Sequence, residues 1–328
     1  MDEDGFKKYC LERKLSEKTI QAHIQVVKEF ESFLISKCQN KSITNATLAN
    51  LHNFVKHLMS ENRNTWDNMF PLVRYARFIN NKKIVVAVLE LLDGSKVLEN
   101  LSNTIDQTVG EAKREAVFKG VELPPLGTTP KEKQNITKKF MDNLETELGV
   151  TKCREVLLSG PHAEPKEQFI PEQKNFLESK SIDDYLRKKH KEYVEELENH
   201  LKEKTPYYTQ EITKEVLDYV RETPTCQVGV RDGEVIYVTK IPYMAKKYLR
   251  EKDPKMKRYY ACHCSWVREA IKLDTKISPN FCYCSAAFEK RVWDVIFGQD
   301  VESDVLQTVL EGDQICKFAI QIPKEYNN

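Results

Sequence analysis

Two Cys-x-Cys pairs, Cys262-His263-Cys264 and Cys282-Tyr283-Cys284, are followed by Cys316, so five of the nine cysteines fall at the C-terminal end of the 328-residue chain. In an extended strand, residues two apart point to the same face. Each pair would then present two thiols side by side, and two neighbouring strands would bring four together. Thiolates are soft ligands, and a closed set of four suits zinc or iron–sulfur. Cys262, Cys264, Cys282, Cys284 and Cys316 are therefore the candidate metal ligands, with zinc as the expected cofactor. The same positions permit nucleophilic chemistry. Cys264 precedes Ser265-Trp266 and Cys284 precedes Ser285-Ala286-Ala287, where helices are expected to begin, and a helix N-terminus lowers a thiol pKa. In that reading Cys264, Cys282 or Cys284 attacks a carbon centre, and His263 or Glu269 moves protons. His263, Arg268 and Glu269 are the candidate ligand-pocket residues. The third reading is plain burial, because a free cysteine packs as a small hydrophobe.

The segments around these cysteines read as alternating elements. Arg258 to Cys264 reads as a strand, Trp266 to Ile271 as the start of a helix, and Ile277 to Cys284 as a second strand. Ser285 to Gly298 then reads as a helix and Val301 to Leu310 as another. Cys316 to Ile322 is the last strand, with Cys316, Phe318, Ile320 and Ile322 on one face. Upstream, Cys226 to Arg231 alternates, Asp232-Gly233 follows, and Val235 to Thr239 alternates again, which is a hairpin signal. Helices are expected from Lys131 to Leu148 with Gly149 just beyond the end, from Ser181, over Tyr193–Leu201 and over Thr213–Val220. His162, His190 and His200 lie among charged or loop residues and read as surface.

The first 92 residues read as helical, with Gly5 the only glycine. Ser16 is a candidate N-cap for a helix carrying Ile20, Ile24, Val27, Phe30, Phe33 and Leu34 at helical spacing. Thr44 or Asn45 would cap a second helix, Asn64 or Thr65 a third, and Lys83 to Leu92 forms a fourth. Charge is uneven here. Between Lys37 and Lys83, the basic residues Lys37, Lys41, Lys56, Arg63, Arg74, Arg77, Lys82 and Lys83 are opposed only by Glu61 and Asp67, while the whole chain is nearly neutral at +1. A basic surface on a small helical domain is an electrostatic footprint for phosphates, so these eight residues are the candidate DNA contacts; an ordinary solvated face is the alternative.

The pattern Phe6-x-x-Tyr9, Leu15-Ser16-x-x-Thr19-Ile20, Phe30-x-x-Phe33-Leu34 and Arg74-Tyr75-x-Arg77-Phe78 resembles the SAM-like core-binding domain of phage integrases and tyrosine recombinases. That resemblance implies a four-helix unit that clamps DNA. The recombinase catalytic half needs a His-x-x-Arg motif, and none follows residue 92, since His263 and Arg268 are wrongly spaced. Strand transfer is therefore not expected. A second resemblance rests on Val305-Leu306-x-x-Val309-Leu310-x-Gly312-Asp313-x-x-Cys316-x-Phe318-x-Ile320, which is similar to the end of 4-vinyl-reductase-type domains and of relatives of L-2-amino-thiazoline-4-carboxylic acid hydrolase. The longer run from Lys257 to Phe288 looks like an uncharacterised family of the DUF6144 type over residues 110–325. This likeness implies helices against an antiparallel sheet and a small-ligand site, in some members with a metal held by Cys and His.

The expected architecture is α+β: a four-helix SAM-like bundle over 1–92, a helical connector with a proline-rich linker over 93–130, and a Cys-rich α+β domain over 131–328 in which helices pack on an antiparallel sheet. Scattered cysteines, odd in number, fit reduced thiols. Together with an acidic start at Met1-Asp2-Glu3-Asp4 and no run of 18 apolar residues, they give the expectation of a cytoplasmic protein without a membrane partner. The functional expectation is a sensor or regulator, with DNA or a partner on the bundle and a metal or small molecule in the thiol pocket. A cysteine-nucleophile hydrolase and a purely interacting protein are the alternatives.

Overall fold

The computed structural model describes residues 1–38, 42–162 and 164–326. The chain divides into two compact units, one of residues 1–95 and 124–132, the other of 96–123 and 133–328. Among the described residues no helix is long and apolar enough to cross a membrane.

The first unit is a helical bundle of α1 (Glu3–Leu11), α2 (Glu17–Lys37), α3 (Leu48–Ser60), α4 (Trp66–Phe78) and α5 (Lys82–Leu92). The four helices read from the sequence are present, and α1 adds a fifth. Ser16 caps α2 as expected, accepting from the Thr19 amide, and Thr65 caps α4. The cap of α3 is Thr47, in a reciprocal capping box with Asn50, rather than Thr44 or Asn45. Those two residues sit in a 3-10 turn, because the Ser42 hydroxyl takes the Thr44 amide and tightens the chain there. Phe6, Ile20, Phe30, Leu34, Leu51, Phe54, Met69 and Val88 form the core. The segment from Pro124 closes over it at Gly127. The glycine has φ +96°, and a Cβ there would meet Val55 Cγ1 at 2.5 Å, so both conformation and space demand glycine.

The second unit carries α6 (Val97–Val109), α7 (Glu111–Val117), most of α8 (Pro130–Leu158), α9 (Ile170–Leu177), α10 (Ile182–Glu203), α11 (Lys214–Glu222), α12 (Ala245–Arg250), α13 (Pro254–Ala261), α14 (Arg268–Leu273) and α15 (Tyr283–Ile296). Helix α8 breaks at Gly149, where the sequence places a C′ glycine. Strands β1 (Pro206–Tyr207) and β2 (Gln210–Glu211) form a short ribbon. Strands β3 (Val230–Asp232), β4 (Val235–Thr239), β5 (Ser303–Gln307) and β6 (Lys317–Gln321) form an antiparallel sheet in the order β3-β4-β6-β5. Asp232-Gly233 joins β3 to β4 as the hairpin signal requires. Phe318, Ile320 and Ile322 are buried, and Ile236, Val238, Trp293 and Ile296 make the adjoining core with Ile320 and Ile322. The class is α+β.

Three segments differ from the sequence reading. Arg258 to Cys264 is not a strand. Asp253 accepts from the Met256 amide and Pro254 opens the turn, and these start signals make α13 helical to Ala261. Ile277 to Cys284 is not a strand either: Ser278 caps a 3-10 turn over Pro279–Cys282 that runs directly into α15. Val301 to Leu310 is not a helix. Its apolar spacing fits either period, and pairing with β6 from Ser303 to Gln307 supplies the backbone partners of a strand. Cys226 lies outside β3 and meets Thr239 only through an isolated bridge.

Candidate functional site

Helix ends, not strands, gather the cysteines. Cys262 terminates α13. The carbonyl of Cys264 accepts from the Arg268 amide at 2.9 Å, in the turn that launches α14. Cys282 is the N-cap residue of α15. Cys316 leads into β6, and its carbonyl accepts from the Lys240 amide at 3.1 Å, just beyond β4. Cys262, Cys264 and Cys316 all lie within electrostatic reach of Cys282, so these four thiols cluster.

Thr308 ties the pocket together and carried no signal of its own in the sequence. Its hydroxyl lies 2.8 Å from the Cys282 sulfur and also bonds Cys316. The Asp313 carboxylate accepts from the Thr308 amide at 2.9 Å, and the Glu311 and Asp313 amides close onto the Thr308 carbonyl. The Gly312-Asp313 pair in the ending motif is the trace by which Thr308 could have been found: it holds the turn that places that hydroxyl between two sulfurs.

Two buried cations face the thiols. Lys240 Nζ lies 3.2 Å from Glu289 Oε1 and within reach of Cys316 and Cys264. Burial lowers its pKa, but Glu289 and the two cysteines outweigh burial and leave it raised. Arg268 is 2% exposed, with its guanidinium 4.4 Å from the Tyr243 ring centre and within reach of Cys262 and His263. Burial pushes the thiols of Cys262, Cys282 and Cys316 above their ordinary range, so they stand protonated at neutral pH. His263 is half-buried, and its Nε2 donates to the Ile241 carbonyl. Burial first, then Lys240 and Arg268, push its pKa down to about 3. The Glu269 carboxylate accepts from the Tyr259 hydroxyl at 2.7 Å.

Cys284 takes a different partner. Its sulfur lies 3.3 Å from His162 Nε2, and Phe288 packs edge-on against that imidazole at 5.7 Å. His162 had read as surface because nothing in the chain order links it to α15. Nearby, Glu164 is raised in pKa by burial and by the Glu289 carboxylate.

In a single tetrahedral zinc site, thiolates bound at about 2.3 Å stand roughly 3.8 Å apart. Among the described residues, the one set of three possible ligand atoms within 4.8 Å of one another is Glu29, His57 and Glu61 in the first unit. Arg63 already bridges both of those carboxylates, at 2.7 Å and 3.1 Å. The clustered thiols have the donor chemistry for a soft metal, but no three of their sulfurs lie within 4.8 Å of one another.

On the bundle, the candidate DNA contacts divide. Lys37, Lys56, Arg77 and Lys83 are exposed, while Arg74 and Lys82 are half-buried. Arg74 donates to His23 Nδ1 at 3.2 Å and lies over the Phe70 ring. Arg63 is clamped on Glu29 by two bonds of 2.7 Å, so its charge is neutralised within the bundle. Lys41 lies outside the described residues.

Residues 4–76 match the phage integrase N-terminal SAM-like domain, and residues 243–327 match a family of unknown function, DUF6144. The first match covers α1 to α3 and most of α4. The second is shorter than the 110–325 span read from the sequence, yet it holds all four pocket cysteines, Cys284, Thr308, Arg268 and Glu289, while Lys240 and His162 lie outside it. No curated protein and no solved structure matches the chain. The chain is thus similar over residues 4–76 to an integrase-type SAM-like helical domain and over residues 243–327 to a family of unknown function.

Proposed function

We propose that the helical bundle binds DNA and that the second unit is a sensor domain whose thiol pocket takes a soft metal ion or a small ligand. The observation that supports this most is the integrase-type match on a bundle whose α4 carries Arg74 and Arg77 on its outer side. The pocket reading draws on the thiols of Cys262, Cys282 and Cys316, which burial keeps protonated, and on Cys264 beside them, with Lys240 and Arg268 in reach. A soft cation that displaces the thiol protons turns them into thiolates, and the two buried cations would balance that charge. Zinc is the first metal to try, and it would require the sulfurs to draw together. The 4-vinyl-reductase-type ending belongs to this proposal as the likeness that favours a small ligand. Location in the cytoplasm is part of the same reading.

DNA affinity measured across salt concentrations tests the bundle. Replacing Lys56, Arg74 and Arg77 together with alanine is expected to flatten the log–log salt slope by about 2–3, because each lost phosphate contact removes about 0.9. Arg63→Ala is expected to leave the slope unchanged. An unaltered slope in the triple variant would remove this surface. Metal content of the full chain purified without chelator tests the pocket; neither zinc nor iron near one equivalent would leave only the small-ligand version.

A second reading is favoured by the Cys284–His162 pair. A thiol within hydrogen-bond reach of an imidazole, in the first turn of a helix, is the geometry of an activated nucleophile. In that reading the protein is a hydrolase-like enzyme, and His162 rather than His263 moves the proton.

A further inference from the structure

We propose that one face of α4, formed by Trp66, Phe70 and Arg74, is a stacking platform for unpaired bases, so that the bundle prefers single-stranded to duplex DNA. The inference rests on the DNA-binding reading and names the form of DNA.

These three residues recur every fourth position, so they line one stripe of the helix. The rings of Trp66 and Phe70 lie nearly parallel, at 15° with centres 5.4 Å apart, and the Arg74 guanidinium lies 5.3 Å from the Phe70 centre on the next turn. Core packing accounts for Phe70, which lies partly buried against the bundle core, but not for Trp66. Trp66 is 50% exposed, whereas the other two tryptophans, Trp266 and Trp293, are 1% and 3% exposed. The aromatic stack therefore ends in an indole open to solvent.

Every base offers a π-face, and an exposed indole already stacked from behind can extend its column by one base. In a duplex that face is occupied by the neighbouring base pair, so the reward is confined to unpaired nucleotides. Charge supplies the backbone contact. Arg74 is held by His23 at 3.2 Å, and the neutral imidazole that burial and Arg74 favour leaves Nδ1 free to accept, so the guanidinium keeps its charge. Arg77 is exposed on the following turn. Asp67 lies within electrostatic reach of His23, which makes the Trp66 end unfavourable for phosphate. The backbone of a bound strand is therefore expected over Arg74 and Arg77, with a base reaching back to the indole.

The experiment compares an oligothymidine single strand with a blunt duplex of equal length, using the full chain, by anisotropy and by tryptophan fluorescence. The single strand is expected to bind at least about tenfold more tightly and to quench fluorescence. Trp66→Ala is expected to lose about tenfold in single-strand affinity, the effect of one stacked base, with duplex affinity changed less than about twofold. Trp66→Phe should retain most of the affinity and lose the quench; Phe70→Leu gives an independent loss. Equal or tighter duplex binding, or a Trp66→Ala protein that binds the single strand as before, would overturn the platform while leaving DNA binding intact. Binding of neither form would overturn both.

Discussion

Lys240 and Glu289 form an ion pair of 3.2 Å with side chains only 12% and 6% exposed. Each makes the other tolerable where burial would otherwise penalise a lone charge. Removing one member of such a pair leaves a buried charge alone, which costs about 3–5 kcal/mol. Lys240→Met is therefore expected to lower the urea midpoint sharply, and Lys240→Met combined with Glu289→Gln to restore most of it. Additive losses in the double variant would show that the two residues act independently.

Glu164 carries the opposite lesson. Burial and the Glu289 carboxylate raise its folded pKa above the unfolded value. The folded chain therefore holds this proton to higher pH than the unfolded chain, and that contribution to stability is present at acid pH and is lost as pH rises through the folded pKa. Glu164→Gln is expected to be more stable than the parent at neutral pH, by at most about 1 kcal/mol because the group is half in solvent. The advantage should vanish near pH 4. Thermal melts at the two pH values decide it; a constant difference would reject the assignment.

The Cys284–His162 contact predicts selective reactivity. At neutral pH, iodoacetamide is expected to label Cys284 at least about tenfold faster than the similarly buried Cys262 or Cys282, because an imidazole stands 3.3 Å from its sulfur to take the proton. His162→Ala should slow Cys284 alone. Peptide mapping reads both results, and uniform labelling of all three sulfurs would dismiss the nucleophile.

Gly127 tests the seat of the proline-rich segment. With φ +96° and Val55 Cγ1 at 2.5 Å from any added Cβ, Gly127→Ala should destabilise the first unit by about 1–3 kcal/mol or more. Pairing it with Val55→Ala should recover the steric share but not the conformational one. A variant as stable as the parent would mean that the segment does not close on α3.

The helices of the bundle were legible because caps and apolar period agreed: Ser16 and Thr65 start α2 and α4 where read. The hairpin at Asp232-Gly233 and the break at Gly149 were legible for the same reason, since each depends on one local backbone conformation. The cysteine region was not. Arg258 to Cys264 alternates like a strand, and only the weight given to Asp253-Pro254 distinguishes the helix. Val301 to Leu310 fits two periods, and the partner that decides between them, β6, lies beyond a turn. The meeting of Cys262, Cys264, Cys282 and Cys316 could be anticipated from thiol chemistry, though the strand geometry invoked for it was wrong. Lys240 and His162 could not be anticipated, because each reaches its sulfur through folding at long range, and Thr308 was legible only through the Gly312-Asp313 turn that holds it.

The units interleave along the chain: 1–95 and 124–132 make one, 96–123 and 133–328 the other. A nascent polypeptide released as far as Ser95 therefore lacks the lid that Gly127 lays on Val55, and that lid emerges only after α6 and α7, which belong elsewhere. A single protease cut anywhere from residue 96 to 123 would leave neither half with all of its own parts. Excising the bundle intact means carrying those two foreign helices along, or splicing them out and rejoining the ends.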